Sequence, residues 1–203
     1  MTRKEHWENI YSNKKLDEVS WYQPKPEVSL KFISDHCISK TAAIIDIGGG
    51  DSFLVDHLLE QNFQAITVLD ISEKALLRAK ERLQTKSEKV QWIISDITDF
   101  NPTQIVQIWH DRAVFHFLTD SEEVKKYALI AAKAIAKNGI MIIGTFSDKG
   151  PLKCSGIAIQ QYTEASMRLV FQDNFELIES KEITLQTPMR TEQQFLFCVF
   201  KKI

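Results

Sequence analysis

Three glycines, Gly48, Gly49 and Gly50, stand between Asp46 and Asp51 in the stretch IIDIGGGDSF. Bare backbone between an apolar run and the start of a helical pattern admits a ligand to contact distance. The flanking charges then select the ligand. A phosphate loop of the GxxxxGK[ST] kind needs a lysine, and none occurs between Lys40 and Lys74. A dinucleotide loop GxGxxG is met at Gly48 and Gly50, but Phe53 takes the third position and Asp51 would set a negative charge beside a pyrophosphate. A nucleoside bearing a sulfonium amino acid meets no such conflict, because a carboxylate near a cation in a partly dry cleft is attractive. Two further acids extend the pattern. Asp70 stands where a ribose diol is held by charge-assisted hydrogen bonds; Asp96 can accept the exocyclic amine of adenine, with Ile71 and Ile97 offering apolar surface to the ring.

These residues need a scaffold that brings them to one edge, and the apolar periodicity supplies it. Ala42–Ile47, Ala65–Leu69, Val90–Ile94, Ile105–Trp109 and Ile140–Phe146 read as strands. Helical patterns at Ser29–Ile38, Phe53–Glu60, Ser72–Leu83 and after TDSEEV alternate with them. Thr119 with Glu122 offers a capping box for the last of these, and Gly139 a C-terminal cap. Strand–helix alternation with strands apolar on both faces predicts an α/β fold, a doubly wound, mostly parallel sheet. Ligands bind such sheets beyond the carboxyl ends of the strands, where Asp46, Asp70 and Asp96 fall. A helix near Thr163 precedes two long strands, Phe175–Leu185 and Phe195–Lys201, which predict an antiparallel hairpin; FLFCVF, apolar on both faces, suits a place inside the sheet.

The 203 residues fit one domain, and a net charge of -2 argues against nucleic acid as the partner. No run approaches the ~20 apolar residues of a membrane span, and the N-terminus lacks the apolar core of a secretory signal, so a cytoplasmic chain is expected. The three cysteines, Cys37, Cys154 and Cys198, are widely spaced and suggest neither disulfides nor zinc. No metal is expected, since strand four is not followed by clustered acid and amide ligands.

DIGGGDS, VLDISEKALLRAKERL, VQWIISDITDF and the terminal hairpin resemble, in order and spacing, the motifs of class I S-adenosylmethionine-dependent methyltransferases. HWENIY, VSWYQPKPEVSL, WHDRAVFHFL and GTFSDKGPLKCSG are similar to markers of a widespread bacterial branch of that superfamily. The resemblance covers almost the whole chain. It implies a Rossmann-like methyltransferase fold with a seven-stranded sheet, residues 1–203 forming a single domain and 1–28 an N-terminal lid. It also implies S-adenosylmethionine as donor, S-adenosylhomocysteine as product, a small-molecule or protein-side-chain acceptor, and a monomer or homodimer. The opening aromatic pattern is similar to that of lysine methyltransferases of translation factors, so protein lysine is one alternative. A catalytically silent S-adenosylmethionine-binding module is another. Two departures stand out: Ser52 replaces the frequent third loop glycine, and Gln107 replaces an aspartate found in many relatives two residues before Trp109.

The resemblance implies that Tyr11, Asp46, Gly48, Gly50, Asp70, Ile71, Asp96, Ile97 and His110 bind the donor. Trp109–Arg112, after strand four, would face the donor methyl, where His110 or Asp111 could accept a proton or hold an amine. The plainer alternative is a local Asp111–Arg112 ion pair with His110 giving only a backbone contact. His116, among Phe115, Phe117 and Leu118, reads as a core histidine. Trp7 and Tyr11 share a helical face, which either docks that helix on the domain or forms the lid. Trp21, Tyr22, Arg112 and Phe146 are expected at the acceptor, and Cys154 near it.

Overall fold

The computed structural model describes residues 1–37 and 39–203. An N-terminal α1 (Arg3–Asn13) leads through a 3-10 turn to α2 (Glu27–His36). There follow β1 (Ala43–Ile47), α3 (Leu54–Glu60), β2 (Ala65–Asp70), α4 (Glu73–Leu83), β3 (Val90–Ile94), β4 (Val106–Arg112) and α5 (Ser121–Ala134). The chain ends with β5 (Ile135–Phe146), the two-residue pair β6 (Lys153–Cys154) and β7 (Ile157–Ala158), α6 (Glu164–Phe171), β8 (Phe175–Gln186) and β9 (Glu192–Lys202). The expected end of the first core helix at Ile38 lies outside the described residues.

Seven strands form one sheet in the order β3-β2-β1-β4-β5-β9-β8. The first five run parallel, whereas β9 pairs antiparallel with both β5 and β8, so FLFCVF sits inside the sheet as its two apolar faces require. The order reverses between β1 and β4, which opens a crevice beyond their carboxyl ends.

The sheet divides the core into two layers. On one face, α5 and α6 pack Tyr127, Ile130 and Phe171 against Ile45, Trp109 and Ile143. On the other, α2, α3 and α4 pack Ile33, Leu58 and Leu76 against Ile44, Val68 and Ile108. Burying each such side chain contributes about 1.5–3 kcal/mol before the ordering entropy is counted. Gln107, at the position of the departure, accepts a hydrogen bond from the Ala43 N–H at 2.7 Å. Among the described residues no helix is long and apolar enough to cross a membrane.

Three local expectations change. Asp120, not Thr119, caps α5, its carboxylate accepting from the N–H groups of Glu122 and Glu123. That helix stops at Ala134, five residues before Gly139, because Ile135 already pairs with Val106 and Asn138 takes the left-handed conformation (φ 63°). Finally, β4 continues through Arg112, so Trp109 to Arg112 belong to the strand itself.

Candidate active site

That longer β4 decides which side chains share a surface, because successive residues of a strand point to opposite faces. Trp109 and Asp111 face α5. Asp111 is fully buried and accepts hydrogen bonds from Tyr127 Oη (2.6 Å) and the Val114 N–H (2.9 Å), while Trp109 Nε1 donates to the same Tyr127 oxygen (2.9 Å). Burial pushes the Asp111 carboxyl up to about 6 against those hydrogen bonds. Such a group ties β4 to α5 and has no free oxygen for a substrate. The expectation of a catalytic Asp111 is therefore corrected, and so is the Asp111–Arg112 ion pair. Arg112 instead donates from Nη2 to the Trp21 carbonyl at 2.9 Å.

His110 faces the opposite side. Its partner in the β1–β4 register is Asp46, and its Nδ1 lies 2.7 Å from Asp46 Oδ1 while Nε2 lies 2.9 Å from Ser29 Oγ. All three residues are buried. Both ring nitrogens are engaged, so His110 does not project into the crevice as a proton acceptor.

The crevice is a cleft with about 870 Å³ of empty space, counting its open mouth. Asp70, Ile71, Asp96 and Ile97 line it, and so do Gly48, Gly49 and Asp51. Trp7, Trp21, Phe117 and Cys154 line the remainder, with Arg112, Val114 and Leu118. Of the expected residues, Asp46, Gly50, Tyr22, Phe146, His110 and Asp111 do not line it. Asp46 and His110 edge a small chamber under the glycine turn. Tyr22 packs edge-on against Phe53 (6.0 Å), and Phe146 is buried between His116 and Phe195. His116 is a core residue, as expected: its Nδ1 accepts from the Phe146 N–H at 3.3 Å, and burial pushes its pKa down to about 3, leaving it neutral.

The charges along the cleft are unequally compensated. Burial raises the Asp70 carboxyl to about 7, opposed by a hydrogen bond from the Ser72 N–H (2.8 Å) and reinforced by the nearby Asp51 and Asp46 charges. Asp51 is also raised, chiefly by burial, despite a bridge from Arg78 at 3.2 Å. Burial works to raise Asp96 as well, but Thr98 and the Arg3 guanidinium outweigh it and hold that carboxyl below its ordinary range. Arg3 bridges Asp96 (2.9 Å) and Glu123 (2.7 Å), a contact that nothing in the residue pattern announces.

Helix α1 lies over the cleft and is tied to α4 by polar contacts. Glu8 accepts from the Glu73 N–H (2.7 Å), and Arg78 donates to the Lys14 carbonyl (2.7 Å). Its apolar side presents Trp7, whose ring meets Trp21 at 5.7 Å and Phe117 at 5.1 Å, both edge to face. Tyr11 is buried beside the glycine turn, with its phenol pushed well above its ordinary value by burial and by the Asp70 charge. A Cβ built on Gly50 would stand 2.8 Å from Tyr11 Oη and 3.1 Å from Asp70 Oδ2. One built on Gly49 would stand 2.5 Å from Asp46 Oδ2, so the turn is closed to any side chain.

A family model described as "Methyltransferase domain" matches residues 38–193. The chain belongs to that methyltransferase family. The methyltransferase is 23% identical over 193 residues to EEF1A lysine methyltransferase 2 of Danio rerio, a match covering 86% of this chain and 76% of the relative. Among solved structures it is similar to the N-methyltransferase NodS of Bradyrhizobium japonicum WM9 in complex with S-adenosyl-L-homocysteine. That match has a TM-score of 0.74 at 17% identity and covers 98% of this chain and 97% of the other. A chain from work on the conversion of a disulfide bond into a thioacetal group during echinomycin biosynthesis matches with a TM-score of 0.79 at 16% identity, over 98% of this chain and 93% of that one. At such identities the structural matches speak for the fold alone, the class I architecture; the NodS structure holds S-adenosyl-L-homocysteine, the demethylated form of the donor S-adenosylmethionine.

The cleft fits that donor on its own chemistry. It offers a bare turn without lysine, a strand-end acid raised by burial that has no cationic partner among the described residues, and apolar faces at Ile71 and Ile97. Among the described residues no group of three His, Cys, Asp or Glu side chains could hold a metal ion.

Proposed function

We propose that the methyltransferase moves a methyl group from S-adenosylmethionine to an amine nitrogen held against the aromatic rings of the cleft. The donor supplies a sulfonium-bound methyl open to in-line attack. In this reading Asp70 accepts two hydrogen bonds from the ribose diol, and Ile71 and Ile97 flank the adenine. Asp96 accepts the adenine amine and shares its carboxylate with Arg3. The amino-acid part lies over Gly48–Gly50, next to Tyr11, with Asp46 beneath.

The observation that carries the acceptor class is the ring cluster of Trp7, Trp21 and Phe117 in the lining of the cleft. Aromatic faces attract an ammonium group by about 0.5–2 kcal/mol and exclude water from the transfer. Since His110 and Asp111 are turned away, the chain contributes alignment and desolvation. The acceptor nitrogen then loses its proton to solvent, so the rate rises with pH until the amine itself is neutral. Residues 1–28 act as the lid, bringing Tyr11 over the donor's amino-acid part and Trp7 and Trp21 against the acceptor, and Arg112 holds Trp21 through its carbonyl.

Protein lysine is the second reading, favoured by the 193-residue similarity to a lysine methyltransferase. The test is incubation with donor labelled at its methyl group, together with small amines, with proteins, and with their carboxylic-acid and thiol counterparts. Label on nitrogen supports the proposal, and its appearance in protein or in small molecules separates the two acceptors. Label only on oxygen or sulfur refutes the amine assignment. Binding of donor without transfer to any fraction would make the chain a silent binding module.

A further inference from the structure

Beneath the glycine turn, Ser29, His110 and Asp46 form one hydrogen-bonded chain across three elements. Ser29 is in the first turn of α2, His110 on β4 and Asp46 on β1. Asp46 and His110 face each other in strand register, so the sheet itself sets the first contact, Nδ1 to Oδ1 at 2.7 Å. The second, Nε2 to Ser29 Oγ at 2.9 Å, ties the pair to the helix that follows the N-terminal lid. The proton positions follow from the chemistry. An Asp46 carboxylate only accepts, so Nδ1–H donates to Oδ1, and the Ser29 hydroxyl can answer Nε2 either as donor or as acceptor.

This connectivity matches that of a hydrolytic Ser-His-Asp triad, but the surroundings are wrong for a nucleophile. Ser29 is only 1% exposed, and the adjoining chamber has room for about one water, at about 10 Å³. An acyl group has no place beside Oγ. What the chain does is orient Asp46. With Oδ1 committed to His110, Oδ2 is directed up at the turn, 2.5 Å from where a Gly49 Cβ would stand. Gly48, Gly49, Ser52 and Arg112 edge the same chamber.

We propose that Ser29 and His110 are positioning residues for the donor: through them Asp46 is fixed under the turn so that Oδ2 meets the donor's amino-acid ammonium, directly or through one water. The inference rests on the donor placement proposed above. It assigns His110 to the donor's far end and not to proton transfer, and it links donor binding to α2 and so to the lid. Hydrogen-bonded partners of a binding carboxylate tune its geometry, and at metal sites their loss weakens binding by about 10–100-fold.

The test measures donor binding and steady-state kinetics for the wild type, His110→Ala, His110→Asn and Ser29→Ala. His110→Ala is expected to raise the donor Kd and KM about tenfold, with kcat and the acceptor KM within about twofold. His110→Asn, which keeps an N–H able to reach Asp46, restores most of that loss. A residue that only packs would lower the melting temperature of the variant without this split between donor and acceptor. A folded His110→Ala that binds donor as the wild type does would overturn the inference, as would His110→Asn behaving no better than alanine. If His110→Ala does not fold, Ser29→Ala decides: a twofold to fivefold rise in donor Kd supports the relay, and no change overturns it. Labelling of Ser29 by a fluorophosphonate probe would also overturn the assignment, since it would reveal an accessible nucleophile. A wild type that binds no donor would remove the donor placement itself, an outcome distinct from normal binding in the variants.

Discussion

Replacing Asp70 by asparagine separates what the site does for the ligand from what it costs the fold. The Asp70 carboxyl is raised from 3.8 to about 7, first by burial and then by the neighbouring acids. A raised folded-state value means that the folded protein binds the proton more tightly than the unfolded chain. The associated stability is therefore complete below about pH 4 and is lost as the pH rises through 7. At about 1.4 kcal/mol per pH unit, that rise costs roughly 4 kcal/mol above pH 8, about 3 kcal/mol of it arising between pH 4.5 and 8.5. Asparagine keeps the acceptor for the Ser72 N–H but turns an amide toward the Gly50 N–H, a penalty of about 1–2 kcal/mol. Asp70→Asn is thus expected to be more stable than the wild type by about 2 kcal/mol at pH 8.5, a rise of about 4–8 °C in Tm. The advantage should vanish by pH 4.5. The same change removes a charge-assisted contact to the ribose and should weaken donor binding about 10–100-fold. Paired thermal melts of ligand-free protein at the two pH values provide the assay. A variant less stable than the wild type at pH 8.5, or a difference that does not change with pH, would mean that the buried Asp70 charge does not strain the fold.

Other outcomes follow from the same contacts. Tyr127→Phe strips Asp111 of a donor and Trp109 of an acceptor, so it should cost about 2–4 kcal/mol, more at pH 8 than at pH 5 because Asp111 titrates near 6; chemical denaturation at the two pH values measures it, with activity of the folded variant retained. Gly49→Ala places a Cβ 2.5 Å from Asp46 Oδ2 and 2.7 Å from Val68, so donor affinity should fall more than about tenfold and stability by about 1–3 kcal/mol, read by calorimetry and thermal melts. On the acceptor position proposed above, Trp21→Ala should lower kcat/KM for the acceptor about 2–30-fold while the donor Kd changes by less than about threefold, read by steady-state kinetics and calorimetry.

The sheet was legible because its inner strands are short apolar runs, β1 closed by Gly48, β2 by Asp70 and β3 by Ser95 and Asp96, and FLFCVF betrayed an inner strand by having no polar face. The acids at the cleft were legible for a related reason. Asp70 closes β2 and Asp96 follows β3, where a parallel sheet places its ligands. What failed was one strand end. Ending β4 at Trp109 made His110 and Asp111 neighbours on a loop, whereas three more strand residues send them to opposite faces. In TDSEEV, Thr119 with Glu122 and Asp120 with Glu123 both satisfy the capping spacing, and local sequence does not choose between them. Arg3, Ser29 and Phe117 carried no local signal, since their roles arise from contacts with residues far along the chain: Asp96, His110 and Trp7.

The most direct measurement is a crystal structure of the protein with S-adenosylhomocysteine and an amine acceptor analogue. The ribose diol is expected on Asp70, the adenine amine on Asp96, and the sulfur aimed at an amine seated against Trp7, Trp21 and Phe117. A sulfur directed away from those rings, or a nucleoside bound clear of Asp70, would contradict this placement.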